Sequence, residues 1–382
     1  MKRLLVAPLV FMVALAGAAT GIVQDLCGPF TDVSPTICPY VLEMYYLGIT
    51  AGTSPTTYSP DNPVTRGQAA VFVSKGVNQA IARSSSRAAL GQWWLTTPHW
   101  DIGLGTTAVG NFPTQCACDG QDVWVANEDF GGPGSVSRVR GSDGKLLETW
   151  TSATGAFGIL SAMGRIFVAG ISASKLYMID PSQPAGDVTI VADLGLTPSA
   201  MAFDGVRIWT ANNLHSVSMI TPGTWAVTTV EGFQAPVGAV FDGMSVWITD
   251  FTAGTLLRLN SDGSVAQTVT VGGSPEFPVF DGENIWVPNY NDNTISVVRA
   301  STGAVVATLS GNGLSGPEYS AFDGRRVLVT SRFADTISLW NAADLSPIGT
   351  RSTGAGSHPL GACSDGIGFW IPLSASNTLG RF

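Results

Sequence analysis

Two glutamates and a histidine are the side chains of this sequence whose types and spacing suggest chemistry. Glu276 and Glu318 directly follow prolines and His358 directly precedes one, and these prolines recur at intervals of roughly 40 residues. We therefore expect the three side chains at nearly the same height in three successive repeats. Two carboxylates and an imidazole could bind a hard divalent cation, calcium or magnesium, or the histidine could serve as a general base. The sequence by itself assigns no catalytic residue.

A second polar position recurs three residues after a large side chain. It is occupied by Asn127, Asn212, Asp250, Asn289 and Ser331. A ring of such groups around the mouth of a channel could bind a polar ligand, and the first four are the predicted ligand-binding residues. The alternative is that they form hydrogen bonds with the backbone and cap the turns at the strand ends. The sequence leaves both interpretations open.

The elements that must position these residues are repeated along the chain. Phe241-Asp242-Gly243 leads to a strand that contains Trp247, and similar segments surround seven large residues in all. These are Trp124, Phe167, Trp209, Trp247, Trp286, Leu328 and Trp370. A period of roughly 40 residues with strand-like content in every copy is the signature of a β-propeller. The sequence therefore predicts an all-β fold, a seven-bladed β-propeller over residues 99–382.

Four strands are expected in each repeat. In the fourth repeat they are predicted at 236–241, 245–249, 255–260 and 265–271. The Asp-Gly pairs fit tight turns between these strands, and the tryptophans fit packing between neighbouring blades.

The last repeat stops after its third strand, so the ring needs a fourth strand from elsewhere. Residues 100–104, which precede the first repeat, are expected to fill that place, because closure pairs the open edges of the first and last blades. Cys363 lies in the last repeat, and Cys116 and Cys118 lie in the first. Either of these two could form a disulfide with Cys363 across the same seam.

Composition and charge limit the classes of partner. Of the 382 residues only 12% are charged, and the net charge is -9. An acidic chain without a basic patch does not suit a nucleic-acid or anionic-membrane partner. The basic start, the apolar run to Leu15 and the small residues Ala16-Gly17-Ala18 predict a signal peptide over residues 1–18 and no transmembrane segment. Export permits disulfides, and Cys27 with Cys38 could close a small loop.

A small helical module is expected at residues 24–82, followed by a linker at 83–98. The apolar spacing from Val41 to Leu47 predicts one amphipathic helix. Thr65 and Gln68 form a capping box that starts a second helix.

The module resembles an S-layer homology (SLH) repeat. The matching motifs are Phe-x-Asp-Val at 30–33, Leu-Gly-Ile-x-x-Gly at 47–52, Ser-Pro-Asp-Asn-Pro at 59–63 and Val-Thr-Arg-Gly-Gln at 64–68. The resemblance implies binding of cell-wall polysaccharide, with Arg66 holding the acidic sugar. The family usually combines three such repeats, and this chain has one. The segments 285–289, 293–298 and 301–308 similarly resemble YVTN-type propeller repeats.

Two functions follow as expectations. The first is a secreted cell-surface protein, in which the SLH-like module associates with the cell wall and the propeller binds an unknown protein or carbohydrate ligand. The alternative is a propeller enzyme, a lyase or hydrolase with a metal-assisted site at the channel mouth. Streptogramin lyases are a similar-looking propeller family with a histidine–glutamate–magnesium site, and only Glu276, Glu318 and His358 can be matched to it.

Overall fold

The computed structural model describes residues 105–382 continuously. Before residue 105 it describes 29–34, 37–38, 41, 44–45, 50, 52–64, 69 and 72–73. The chain divides into two compact units, residues 1–89 and 90–382. The predicted signal peptide and linker lie outside the described residues.

Within residues 105–382, the second unit consists of β-strands and one short 3-10 helix at Arg332–Ala334. The first strand is β1 (Thr106–Ala108). Blade 1 contains β2 (Pro113–Cys118), β3 (Asp122–Asn127), β4 (Ser135–Arg140) and β5 (Leu146–Thr151). Blade 2 contains β6 (Ala156–Ala162), β7 (Arg165–Gly170), β8 (Lys175–Ile179) and β9 (Thr189–Asp193). Blade 3 contains β10 (Pro198–Phe203), β11 (Ile208–Asn212), β12 (Ser216–Thr221) and β13 (Ala226–Glu231).

The remaining blades follow the same order. Blade 4 contains β14 (Pro236–Phe241), β15 (Val246–Asp250), β16 (Thr255–Leu259) and β17 (Val265–Thr270). Blade 5 contains β18 (Val279–Phe280), β19 (Asn284–Asn289), β20 (Thr294–Arg299) and β21 (Ala304–Ser310). Blade 6 contains β22 (Pro317–Phe322), β23 (Arg326–Ser331), β24 (Thr336–Asn341) and β25 (Pro347–Ser352). Blade 7 contains β26 (Cys363–Ser364), β27 (Phe369–Leu373) and β28 (Thr378–Arg381). The seven-bladed propeller is confirmed.

The ring closes as expected, with a strand from the amino-terminal side completing blade 7. This sheet has the order β26, β27, β28, β1, and Thr107 of β1 lies opposite Leu379 of β28. The closing strand begins at Thr106, so its position differs from the predicted 100–104, a segment that lies outside the described residues. Every sheet then has four antiparallel strands, and β1 pairs with the edge of β28 that would otherwise be left open.

A disulfide joins the first and last blades. Cys116 of β2 is bonded to Cys363 of β26, with the two Cα atoms 5.6 Å apart. The structure therefore selects Cys116 rather than Cys118 as the partner. Cys38 is also disulfide-bonded, whereas Cys27 lies outside the described residues.

The large residue of each second strand packs against the next blade, as predicted. Trp247 of blade 4 is fully buried in one cluster with Ile285 and Val287 of blade 5. Around the seam, Trp370 of blade 7 is buried with Val123 and Val125 of blade 1. Burial of a side chain this large contributes about 2–3 kcal/mol to each interface.

The Asp-Gly turns hold these tryptophans in place. Asp242 accepts hydrogen bonds from the backbone N–H groups of Met244 and Ser245 through Oδ1. Its Oδ2 accepts the indole N–H of Trp247 at 2.8 Å. The same indole bond is made to Asp119, Asp204, Asp281 and Asp365. In blade 6, where Leu328 has no N–H to donate, Arg326 Nε donates to Asp323 instead.

We expect Asp242→Asn to lower the free energy of unfolding by about 1–3 kcal/mol, because an amide at this position cannot accept both kinds of hydrogen bond as a carboxylate does. Urea unfolding followed by tryptophan fluorescence measures the change. Asp262→Asn is the matched control, because Asp262 lies in an exposed turn and accepts hydrogen bonds from Ser264 rather than from an indole. An equal loss in both variants would show that the indole bond contributes nothing.

In the first unit, the described residues join two of the sequence motifs. Phe30 is buried with Val41, and its ring contacts Tyr45 and Tyr58 at centroid distances of 5.3 and 5.5 Å. The Asp32 carboxylate accepts the backbone N–H groups of Tyr58 and Ser59, at 2.8 and 2.7 Å, and these bonds lower its pKa. Asp32 of the Phe-x-Asp-Val motif thus anchors the start of the Ser-Pro-Asp-Asn-Pro motif.

Gly52 is required in this unit for steric reasons. Its φ is +77°, and a Cβ atom there would lie 2.5 Å from the Phe30 ring. The two predicted helices, in contrast, fall largely outside the described residues, and the helical module is not shown. Among the residues that the structure does describe, no helix is long and apolar enough to cross a membrane.

Candidate ligand site at the channel mouth

A cavity of about 350 Å³ opens at the mouth of the central channel. Glu276 lies just before β18 of blade 5, and Glu318 is the second residue of β22 in blade 6. Both glutamates line the cavity, as do Ser199, Val237 and Leu360 at the corresponding positions of other blades. In these blades the position after the recurring proline thus forms one layer of the cavity wall.

A second layer of the cavity wall is formed by the residues that directly follow the predicted polar positions in the sequence. It is lined by Glu128, Ile171, Asn213, Phe251 and Arg332, each directly after the last residue of a second strand. Successive side chains of an extended chain point in opposite directions, so a shift of one residue exchanges buried and channel-facing positions. Only the exact end of each strand could have revealed this set, and sequence patterns locate strand ends least well.

The predicted polar ring is buried inside the blades. Asn212 Nδ2 donates to the hydroxyl oxygens of Ser216 and Ser218, at 3.1 and 2.9 Å. Asn127 and Asn289 make the same kind of bond to the next strand of their own blades. The Asp250 carboxylate accepts backbone N–H groups, including those of Gln234 and Ala235. None of these four side chains lines the cavity. Asp250 makes the backbone contacts of the capping alternative, whereas the amide groups of the three asparagines donate to hydroxyl groups of the next strand.

His358 lies apart from the two glutamates. Its backbone N–H donates to Asp335 at 2.9 Å, and its ring meets the Phe333 ring edge-on. It does not line the cavity. Among the described residues, no three His, Cys, Asp or Glu side chains are placed to hold a metal ion. The structure brings Glu276 and Glu318 together without His358, so calcium or magnesium binding here stays a prediction.

The two glutamates occupy an unfavourable environment for charge. Glu318 is 7% exposed, and burial raises its pKa to about 7 although the positive charge of Arg332 opposes the rise. Burial and the negative charge of Glu318 raise the pKa of Glu276 well above its usual range. Glu276 is enclosed by protein, but part of its surface still faces the cavity. Both carboxyl groups therefore bind a proton more tightly than exposed glutamates do.

The floor of the cavity is aromatic. The rings of Phe277 and Tyr319 are stacked, with centroids 3.9 Å apart. Gln115 Nε2 donates to the Tyr319 hydroxyl at 3.2 Å, a contact that joins blade 1 to blade 6. Phe277 and Tyr319 both line the cavity together with the glutamates.

Arg332 lies at the side of the same cavity. Its guanidinium group lies 5.6 Å from the centre of the Phe112 ring and 5.0 Å from that of Phe333. The Arg332 Nε atom is buried and has no hydrogen-bond partner within the described part of the chain. The arginine therefore contributes positive charge to the cavity while its flat surfaces pack on phenylalanine rings.

Part of the amino-terminal unit matches a known domain family. Residues 29–70 match the S-layer homology domain family. The chain carries an SLH domain. This confirms the resemblance seen in the motifs and points to a location at the cell envelope, with the cell wall as a partner. Arg66 of the SLH domain lies outside the described residues.

The propeller of this SLH-domain protein is similar to several solved structures. One is an inactive virginiamycin B lyase from Staphylococcus aureus with quinupristin, at 14% identity and a TM-score of 0.62, covering 72% of this chain and 97% of that one. Hydrazine synthase from Kuenenia stuttgartiensis has 15% identity and a TM-score of 0.62, covering 75% and 98%. The WD40 propeller of Doa1 has 13% identity and a TM-score of 0.61, covering 73% and 95%. At these identities the similarity concerns the fold alone. No curated protein matches the sequence significantly.

Proposed function

We propose that this protein is exported and works at the cell envelope as a binding scaffold. The SLH domain associates with cell-wall polysaccharide, and the propeller binds a small ligand in the channel-mouth cavity. The match of residues 29–70 to the SLH family carries the proposal, because it supplies the means of wall association. The low charge of the chain and its two disulfide-bonded regions suit an extracellular protein.

The propeller supports the binding role through rigidity. The cavity walls come from the inner strands and the adjoining loops of several blades, and these strands are paired in closed four-stranded sheets. A site built on such elements holds its side chains in place before the ligand arrives, which lowers the entropic cost of binding.

Binding to isolated cell walls tests the wall-association half of the proposal. We expect the full chain to co-sediment with walls and a chain lacking residues 24–82 to remain in solution. Within the full chain, Arg66→Ala should weaken binding by about tenfold or more if the arginine pairs with an acidic sugar.

Arg165→Ala is the control for this experiment, because Arg165 is a surface arginine of the propeller that pairs with Asp180. Circular dichroism confirms that each variant is folded. Undiminished co-sedimentation of the chain without residues 24–82 would contradict the role given to the SLH domain.

A second candidate function is catalysis in the same cavity. Its supporting observation is the pKa of about 7 at Glu318, which suits a general acid or base at neutral pH. The two functions differ in the fate of the ligand, which a scaffold releases unchanged. Conversion of quinupristin by the purified protein, lost in Glu318→Gln, would favour the enzyme.

A further inference from the structure

The acid pair of the cavity lacks the partners that buried carboxylates normally have. Among the described residues, no hydrogen bond or salt bridge reaches the carboxylate of Glu276 or of Glu318, although Glu318 is 7% exposed. Buried charged groups are usually paired and hydrogen-bonded, because their desolvation is costly. Two adjacent carboxylates that line an open cavity without such partners are therefore available to a ligand.

Arg332 does not take the place of that missing partner. Within residues 105–382 it forms no salt bridge, and its guanidinium group packs on Phe112 and Phe333. Glu128, which also lines the cavity, adds a third carboxyl group. Three carboxyl groups thus face one guanidinium group in the cavity. A cation placed beside the acid pair favours loss of their protons, and the ionised pair is complementary to it.

The remaining walls favour an organic cation over a metal ion. Phe157, Phe251 and Phe277 line the cavity, and their ring faces attract positive charge but cannot ligate a metal. Calcium takes roughly six to eight oxygen ligands and magnesium an octahedral set, whereas the cavity offers few oxygens besides its carboxylates. The volume of about 350 Å³ is close to the lower end of the range for small-molecule pockets, roughly 300–1,000 Å³.

We infer that the channel-mouth cavity binds a small organic cation, a protonated amine carried on an apolar or aromatic group. The ammonium group donates hydrogen bonds to Glu276 and Glu318, and the apolar part packs against the phenylalanine rings. The inference rests on the proposed function, because it names the class of ligand for the same scaffold. The packing of the blades does not require two carboxyl groups at these positions. Binding of an amine would give them a role.

Titration calorimetry with the full-length protein tests the inference, using 2-phenylethylamine and its neutral counterpart 2-phenylethanol as probes. We expect the amine to bind at least about tenfold more tightly than the alcohol, since hydrogen bonds to charged groups are the stronger ones. Glu276→Gln and Glu318→Gln should each remove most of this preference and leave the weak binding of the alcohol unchanged. Glu231→Gln, an exposed glutamate of β13, should behave as the wild type.

Each alternative result has a separate meaning. Equal binding of amine and alcohol would overturn the inference and leave the cavity as the ligand site of the scaffold. Binding of magnesium or calcium chloride that disappears in Glu276→Gln, without amine binding, would overturn it in favour of a metal site. Absence of binding by both probes at millimolar concentration would overturn the inference together with the cavity as the ligand site, while wall association is tested independently.

Discussion

Loss of the Cys116–Cys363 disulfide is expected to lower the free energy of unfolding of the propeller by about 2–5 kcal/mol. The bond links residues 247 positions apart, so it removes many conformations from the unfolded chain. It also joins the first and last blades, which are otherwise linked through β1 and the short segment that leads from it to β2. Guanidinium unfolding of the Cys116→Ser, Cys363→Ser double variant, beside the wild type, measures the loss.

Reductant provides the internal control for this prediction. It should move the unfolding midpoint of the wild type to that of the double variant and leave the propeller transition of the double variant where it was. A double variant as stable as the wild type would mean that β1 pairing and the packing around Trp370 hold the seam by themselves.

The second large effect concerns pH. Glu318 has a pKa of about 7 in the folded protein, against an ordinary value of 4.5, so the folded state binds the proton more tightly than the unfolded state. Its stabilising contribution is therefore present below pH 4.5 and is lost as the pH rises through about 7. The expected loss from this residue is about 3 kcal/mol, and Glu276 changes stability in the same direction.

Urea unfolding of the wild type and of Glu318→Gln on both sides of this pH range checks the prediction. The variant should become the more stable protein above pH 7, because a glutamine at this position never carries a charge. Glu231→Gln should keep the pH dependence of the wild type, since Glu231 is exposed. Parallel curves for wild type and Glu318→Gln would show that Glu318 titrates normally in the folded protein.

The repeat made most of the fold predictable. The spacing of the tryptophans and of the Asp-Gly pairs predicts the number of blades, the strand order and the interfaces between blades. It does so because each repeat forms the same four-stranded unit and packs against its neighbours in the same way. The indole bond to Asp242 was missed, although the sequence carries its signal. The aspartate is present in each blade that has a tryptophan and is absent from blade 2, where Phe167 has no N–H to donate.

The site was predictable only in part. That Glu276 and Glu318 line one cavity was predictable, because the proline before each of them recurs at the same position of successive repeats. Asn127 and its equivalents were placed at the mouth because they end their strands, whereas the neighbouring position, Glu128 in blade 1, lines the cavity. The aromatic floor formed by Phe277 and Tyr319 has no repeat signal, because other blades place different residues there.

The closing strand sets an order of events during synthesis. The ribosome delivers β1 and Cys116 early, but their partners β28 and Cys363 are among the last segments to emerge. Six blades can assemble one after another as they appear, while the seventh waits for the end of the chain. A chain that stops before β26 therefore leaves β1 without its partner strand and Cys116 without Cys363.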